Sequence, residues 1–202
     1  MPAWDNESVK ATALAPVLAF ALATAGQLAY SGGRLLTTKQ KLDLIESDHA
    51  APGSRILFPQ SEINSYIVSE VPRVVPQGLR EPKVQLAAGK AYGTALVDFS
   101  KLRHGDQDSL GSTLLGRLLQ GERPVAVTAK VTSANGTATV ELEKVQISGS
   151  AISGRPLRLL LEMFVYPLYP EAKVGEPFAL QHGVDRIEVL PGLAQVLMKS
   201  RR

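Results

Sequence analysis

The stretch that decides the fold is VAVTAKVTSANGTATVEL, residues 125–142. On each side of its centre, apolar and polar residues alternate with a period of two, which predicts two half-buried β-strands. Asn135-Gly136 lies between the strands, and this dipeptide favours the positive φ angles of a type I′ turn. The stretch therefore predicts a β-hairpin in an antiparallel sheet with one apolar and one wet face, and argues against a doubly wound parallel sheet.

Further apolar patterns extend this sheet and add helices. Alternation predicts strands over 84–88 and 91–99, a short strand at Ile56 and Phe58, and a second hairpin that turns at Pro191-Gly192. Helical spacing predicts a helix that begins near Ser61 and stops at Pro72 and Pro76, a short helix over 109–120, and a longer one over 155–169. The expected fold class is α+β, with a curved antiparallel sheet of about six strands packed on the long helix.

Composition excludes several classes of protein. The chain has 202 residues, 45% of them hydrophobic, and 22 Lys and Arg against 19 Asp and Glu give a formal net charge of +3. This balance excludes intrinsic disorder, and so small and scattered a charge does not favour nucleic-acid binding. The absence of cysteine excludes a disulfide framework, a thiolate metal site, a cysteine nucleophile and a lipobox. The length predicts one domain with an appendage.

The appendage is an uncharged, Ala-rich segment, ATALAPVLAFALATAGQLAY, residues 11–30. Twenty helical residues span about 30 Å, the thickness of a bilayer core. We expect an uncleaved membrane anchor or a secretory signal, for which Ala23-Thr24-Ala25 supplies a cleavage site. A buried core helix is the alternative. The expected organisation is an anchor or signal over 1–33, a connector over 34–54 and the α+β domain over 55–202.

The charges that flank the segment bear on its orientation. Arg34, Lys39 and Lys41 follow it, whereas only Lys10 and the amino terminus precede it. Because the more positive flank tends to stay inside, these charges favour a cytoplasmic location for the domain.

The sequence contains no constellation that predicts catalysis or metal binding. His49, His104 and His182 are far apart, and none lies in an H-E-x-x-H spacing. Asp106 and Asp108 lie beside His104 without the twelve-position pattern of a calcium loop. There is no G-x-S-x-G elbow and no phosphate-binding loop. We therefore expect no enzyme, no metal and no cofactor.

Several motifs, taken in order, carry a family resemblance. They are FPQSEINSY at 58–66, GTALVDF at 93–99, the Asn135-Gly136 hairpin with its second arm to Ile147, the apolar stretch 157–169, PFAL at 177–180 and the hairpin over 187–198. Together they resemble small bacterial envelope proteins of the tubular lipid-binding (TULIP) type over residues 55–199, without the lipobox cysteine of the lipoprotein members.

The resemblance implies one lipid-binding module without catalytic residues. It also implies a domain held at a membrane by residues 11–30, and a location in the bacterial cell envelope, inner-membrane anchored with the domain in the periplasm. The flanking charges favour the opposite orientation. Asn64, in the E-I-N motif, would cap the helix or brace it against the sheet.

Two functions follow as hypotheses. In the first, an apolar groove between sheet and helix binds a lipid or another acyl-chain ligand, stabilised by about 0.8 kcal/mol for each buried methylene. The candidate wall residues are Val97, Phe99, Val127, Val140, Leu142, Leu160, Leu161, Phe164, Tyr166 and Ile187. In the second, the domain is a docking platform in a structural or assembly subunit of a membrane complex, and Ala11, Ala15, Ala19 and Ala23 let the anchor approach partner helices closely. The same apolar pattern is also compatible with an ordinary closed core.

Overall fold

The computed structural model describes residues 36–74, 78–101, 119–166 and 173–200. Within these ranges the helices are α1 (Thr38–Glu46), α2 (Gln60–Val74) and α3 (Gly154–Leu160), and a π-helical turn (Leu161–Val165) follows α3 directly. The strands are β1 (Arg55–Pro59), β2 (Leu79–Ala87), β3 (Lys90–Asp98), β4 (Glu122–Ala134), β5 (Thr137–Ile147), β6 (Ser150–Ala151), β7 (Phe178–Ala179), β8 (Val184–Leu190) and β9 (Leu193–Met198). The fold class is α+β, as predicted.

The strands form two antiparallel sheets where the sequence predicts one. The large sheet has the order β2-β3-β4-β5-β6, and β7 pairs with the same outer edge of β5 at its other end. The small sheet has the order β1-β9-β8. The C-terminal hairpin that turns at Pro191-Gly192 is thus present, but it pairs with β1 and packs across the large sheet instead of extending it.

The central hairpin confirms the prediction from its turn residues. The turn joins Ala134 to Thr137, and the φ angles of Asn135 and Gly136 are 51° and 76°. Two consecutive positive φ angles are what a type I′ turn requires, and its twist matches that of the strands.

Replacing Gly136 with Ala should lower the free energy of unfolding by about 1–2 kcal/mol, because an L side chain is strained at this φ angle. The added Cβ would lie 2.9 Å from the Lys199 Nζ atom, the end of a flexible chain that can move away. Chemical denaturation of the full chain measures the loss. Gly192→Ala is the matched control, since Gly192 has a φ of 68° and nothing within 4 Å of the added Cβ; a neutral Gly136→Ala beside a costly Gly192→Ala would contradict the turn assignment.

A β-bulge lets both halves of β5 face the core. The register shifts by one residue between Thr128 and Ala129, so Glu143 of β5 is the extra residue. Since side chains alternate along a strand, this extra residue places both Leu142 and Val145 on the inner face of the sheet.

The first of two apolar clusters lies between the small sheet, helices α1 and α2, and the adjoining end of the large sheet. Its side chains are tightly sealed, with Phe58, Ile63 and Ala194 at 0% exposure. This cluster is the main core of the domain.

Helix α1 lies inside the segment that the sequence analysis treats as a connector. Its start is fixed by a capping box: the Thr37 hydroxyl accepts a hydrogen bond from the Gln40 N–H, and the Gln40 side chain accepts one from the Thr37 N–H. Leu42 and Ile45 are buried in the first cluster. The helix is therefore part of the folded domain.

Helix α2 continues through Pro72 to Val74, beyond the predicted end. Proline removes one helical hydrogen bond, the one to the carbonyl four residues earlier, which here belongs to Val68. Val68 is 58% exposed, so water can take that hydrogen bond.

Helix α2 also satisfies the free edge of β2. The Asn64 amide accepts a hydrogen bond from the Val84 N–H at 2.8 Å and donates one to the Val84 carbonyl at 3.0 Å. The Gln60 side chain accepts from the Leu86 N–H at 2.8 Å, and the Leu86 carbonyl accepts from the Gly192 N–H at 3.2 Å. The bracing role that the family resemblance implies for Asn64 is confirmed.

Two predicted elements fall outside the described residues. They are the membrane segment over 11–30 and all but the last two residues of the helix over 109–120. Among the helices that the structure describes, none has the length and apolar character needed to span a membrane.

Candidate functional site

The second apolar cluster lies on the inner face of the large sheet, at the end of β3, β4 and β5 remote from the small sheet. Its buried members are Val97, Phe99, Leu119, Val145, Ile147, Ile152 and Leu160. Half-buried side chains packed around them are Leu79, Ala95, Val125, Val127, Leu142, Leu157 and Phe164. The second cluster is thus separate from the first, although both pack on the large sheet.

The structure brings most of the predicted groove residues together in this second cluster. Those in the cluster are Val97, Phe99, Val127, Leu142, Leu160 and Phe164. Val140 and Ile187 lie with the first cluster instead, because they sit at the other end of the sheet and on β8. Leu161 and Tyr166 are half-buried and belong to neither cluster.

Strand register explains why three strands contribute to one wall. Val125 of β4 lies between Ala95 of β3 and Ile147 of β5, and Val127 pairs with Val145. Paired residues share a face, so these side chains line up across the sheet. Sequence alternation identifies Leu142 of β5 but misses Val145 and Ile147, because without the bulge Val127 would be paired with the polar Lys144.

A short helical segment, residues 154–166, covers this wall, and we call it the cover. Pro156 lies in the first turn of α3, where its missing N–H costs nothing. After Leu160 the hydrogen bonding widens, and the Tyr166 N–H donates to the Leu161 carbonyl at 2.8 Å. The predicted helix over 155–169 is therefore α-helical only to Leu160, then π-helical, and residues 167–169 lie outside the described part.

The cover contacts the sheet loosely. Leu160 is the only buried residue of α3, and none of the five residues of the π-helical turn is buried, although four of them are apolar. Phe164 meets Phe99 edge to face, with ring centroids 5.4 Å apart and an interplanar angle of 63°. Single-turn π-helical segments recur at functional sites.

The two clusters overlap in how well their buried members are shielded. Val97 and Phe99 in the second cluster are each 7% exposed and Ile147 is 1% exposed, whereas members of the first range from 0% for Phe58 to 8% for Val84. A wall of this kind, apolar with few polar groups, is compatible both with a small-molecule site and with a closed core.

The outer face of the same sheet carries ion pairs between neighbouring strands. Lys130 Nζ lies 3.3 Å from Glu141, and Lys90 Nζ lies 2.7 Å from the bulge residue Glu143. The hydrogen bond to Glu143 raises the pKa of Lys90. A depression of about 270 Å³ on this face is lined mostly by apolar residues, among them Leu96, Pro124 and Ala126, with Thr94 and Gln146 beside them. It lies on the opposite side of the sheet from the predicted groove.

Asp98, at the end of β3, is held by its own loop. The Ser100 hydroxyl and N–H both donate to its carboxylate. These hydrogen bonds, led by the one from the Ser100 side chain, hold the pKa of Asp98 below its ordinary value, and Lys101 adds to the effect. The carboxylate is therefore ionised and engaged locally.

The histidines in the described ranges do not form a metal centre. His182 Nδ1 lies 3.4 Å from the Asp48 carboxylate. In the described part of the chain no group of three or more His, Cys, Asp or Glu side chains is arranged to hold a metal ion. His104, Asp106 and Asp108 lie outside it.

We find no match between this chain and any protein-family model, any curated protein or any solved structure.

Proposed function

We propose that the second cluster binds the acyl chain of a lipid, between the inner face of β3, β4 and β5 and the cover. The observation that carries this proposal is a large apolar wall under a cover whose π-helical turn has no buried residue. An acyl chain would replace the partial solvent contact of these side chains with apolar contact. Each methylene removed from water contributes about 0.8 kcal/mol.

The cover gives the ligand a way in. Its aromatic contact with the sheet is Phe164 against Phe99, and an edge-to-face pair contributes about 0.5–1.5 kcal/mol beyond the area it buries. A few buried methylenes offset the loss of that contact. We therefore expect the acyl chain to take the place of Phe164 and of the apolar area that this ring buries.

The proposal extends to the parts of the chain outside the described residues. Residues 11–30 would hold the domain at a membrane, in the inner-membrane, periplasm-facing arrangement of TULIP-type envelope proteins, with the sheet curved around a longer helix. The protein would bind lipid without transforming it. The assembly-subunit hypothesis predicts instead a closed second cluster and partner proteins in stoichiometric amounts.

Substitution of Val127 tests the proposal, because the neighbouring residue on β4 supplies the control. Val127→Glu places a carboxylate on the apolar wall, whereas Thr128→Glu places the same group on the outer face of the same strand. We expect Val127→Glu to lower the amount of bound lipid by at least about tenfold, since a carboxylate without a partner is costly in an apolar site. Thr128→Glu should leave the amount unchanged.

The measurement uses the full chain, purified in a steroid-based detergent that has no acyl chain. Native mass spectrometry and lipid extraction of the same sample give the stoichiometry and the class of lipid. Val127→Phe, which fills the wall but keeps it apolar, should also exclude lipid while the protein stays folded by circular dichroism. A lipid-free wild-type chain, even after incubation with membrane lipids, would overturn the proposal and leave the assembly-subunit function in its place.

A further inference from the structure

Arg123 lies on the apolar face of the large sheet, at one end of the second cluster. It pairs with Val97 of β3, and strand alternation places it on the same face as Val125 and Val127. Its Nε atom is shielded from solvent and has no hydrogen-bond partner. A guanidinium is always charged and carries five N–H donors, so this one can still bind an acceptor.

The carboxylates nearest in register do not neutralise Arg123. Asp98 and Glu122 face each other across β3 and β4, one residue along from the pair that Arg123 forms, and strand alternation therefore turns both to the outer face. There Glu122 lies 3.2 Å from Arg80, and Asp98 lies 3.5 Å from Lys101. Within the ranges that the structure describes, no ion pair or hydrogen bond reaches the side chain of Arg123.

Arg123 is half-buried, and Nε is the one nitrogen of its guanidinium that is fully shielded without a partner. The desolvation of Nε has no compensation from the protein, whereas an apolar residue at the same position would add to the second cluster. The charge becomes favourable once an anion meets it, because guanidinium binds carboxylate and phosphate through paired hydrogen bonds.

We propose that the ligand of the second cluster is an anionic amphiphile, whose carboxylate or phosphate is bound by Arg123 while its acyl chain lies over Val125 and Val127. This inference rests on the proposed function. The five residues from Arg123 to Val127 are four steps along the strand and span about 13 Å, a length on the scale of an extended acyl chain. The charged end and the apolar wall are thus arranged in line on one strand.

A matched pair of probes separates the effect of the headgroup charge on affinity from the effect of the acyl chain. cis-Parinaric acid and its methyl ester share one fluorescent acyl chain, and only the acid is anionic. In the full chain, held in the steroid-based detergent, we expect the acid to bind at least about tenfold more tightly than the ester, the ratio that one charge-assisted hydrogen bond supplies. Arg123→Gln should remove this difference and leave the affinity for the ester unchanged.

Two further variants are controls for the position of the charge and for the guanidinium group. Arg155→Gln removes an equal charge from the exposed side of α3 and should keep the preference for the acid. Arg123→Lys keeps the positive charge without the paired N–H donors of the guanidinium, and it should keep part of the preference for the acid. A preference for the acid that survives in Arg123→Gln would overturn the inference. If the wild-type chain binds both probes equally, the inference alone fails; if it binds neither, the proposed function fails with it.

Competition identifies the source of the anion. Oleate and lysophosphatidate should both displace the acid in a manner that depends on Arg123, and the stronger competitor names the headgroup as carboxylate or phosphate. Lysophosphatidylcholine, whose phosphate is neutralised by its choline, should compete less well. Inorganic phosphate, which has no chain, should not compete. Equal competition by all of the lysolipids and by oleate would contradict a role for the charge.

Discussion

Replacing Glu62 with Gln should lower the free energy of unfolding by about 3 kcal/mol, because it leaves a buried ammonium without its partner. The side chain of Lys41 is 2% exposed, and its Nζ atom lies 2.8 Å from the Glu62 carboxylate, itself 37% exposed. The same ammonium lies 5.7 Å from the centre of the Phe58 ring. Glutamine keeps the shape and a hydrogen-bond acceptor but removes the charge.

Replacing the other partner, Lys41, should lower the free energy of unfolding much less. In Lys41→Met the remaining Glu62 carboxylate is open enough to water to stay solvated, and the methionine sulfur packs against the Phe58 ring. We therefore expect the loss from Lys41→Met to be less than half of that from Glu62→Gln. The double variant should resemble Lys41→Met, since the buried charge is then absent.

Thermal unfolding of the full chain measures these losses. A chain of this size changes its Tm by about 2–4 °C per kcal/mol, so Glu62→Gln should lower the Tm by about 6–12 °C. Lys39→Met is the control, because Lys39 forms an exposed ion pair with Asp43, 3.3 Å away, that contributes little. Equal losses from Lys41→Met and Glu62→Gln would contradict the asymmetry that burial imposes.

This ion pair bears on function through helix α1. In the proposed arrangement the membrane segment ends at residue 30, and residues 31–37 join it to α1. The contact between Lys41 and Glu62 fixes α1 to α2, and α1 is the first element of the described domain after that join.

The two hairpins were predictable from the sequence because their signals are local. A strand with one face on the core alternates with period two whatever it pairs with, and Asn135-Gly136 selects a turn from its own φ preferences. The pairing of β1 with β9 has no local signal, because the two strands are joined by more than a hundred residues of chain. For that reason one sheet was predicted where two exist.

Helix α1 was missed because its core-facing residues are partly polar. Its buried positions are Thr38, Lys41, Leu42 and Ile45, and a lysine at such a position is read as solvated. The partner that neutralises Lys41 lies 21 residues later in the chain and on another helix. A long-range ion pair of this kind leaves no periodic pattern.

The candidate site was predictable in composition but not in position. Apolar alternation in β3 and β4 and the apolar stretch after Pro156 identify most of its wall. The bulge at Glu143 decides which residues of β5 join it, and a bulge is a property of the pairing and not of either strand alone. Alternation does place Arg123 on the apolar face, but its lack of a partner is visible only once the neighbouring carboxylates are located.

Replacing Asn64 with Leu should lower the free energy of unfolding by about 2–4 kcal/mol, because it leaves two backbone groups of Val84 without partners. The amide is matched to this edge: it accepts from the N–H and donates to the carbonyl of one residue, as a paired strand would. Leucine has a similar volume and can do neither. The short E-I-N motif thus has a structural purpose, the closure of the β2 edge.

A graded series distinguishes this explanation from simple loss of packing. Gln60→Leu removes one hydrogen bond to β2, the bond from the Leu86 N–H, and should cost about half as much as Asn64→Leu. Ser65→Ala, on the exposed side of the same helix, should be neutral. Chemical denaturation gives all three values. If Asn64→Leu and Gln60→Leu cost the same, the number of satisfied backbone groups does not set the stability of this edge.

If the graded losses are found, the same variants allow a test of function, because β2 reaches the second cluster at Leu79. A β2 strand loosened by Asn64→Leu should then also bind lipid more weakly, while Ser65→Ala binds it as the wild-type chain does.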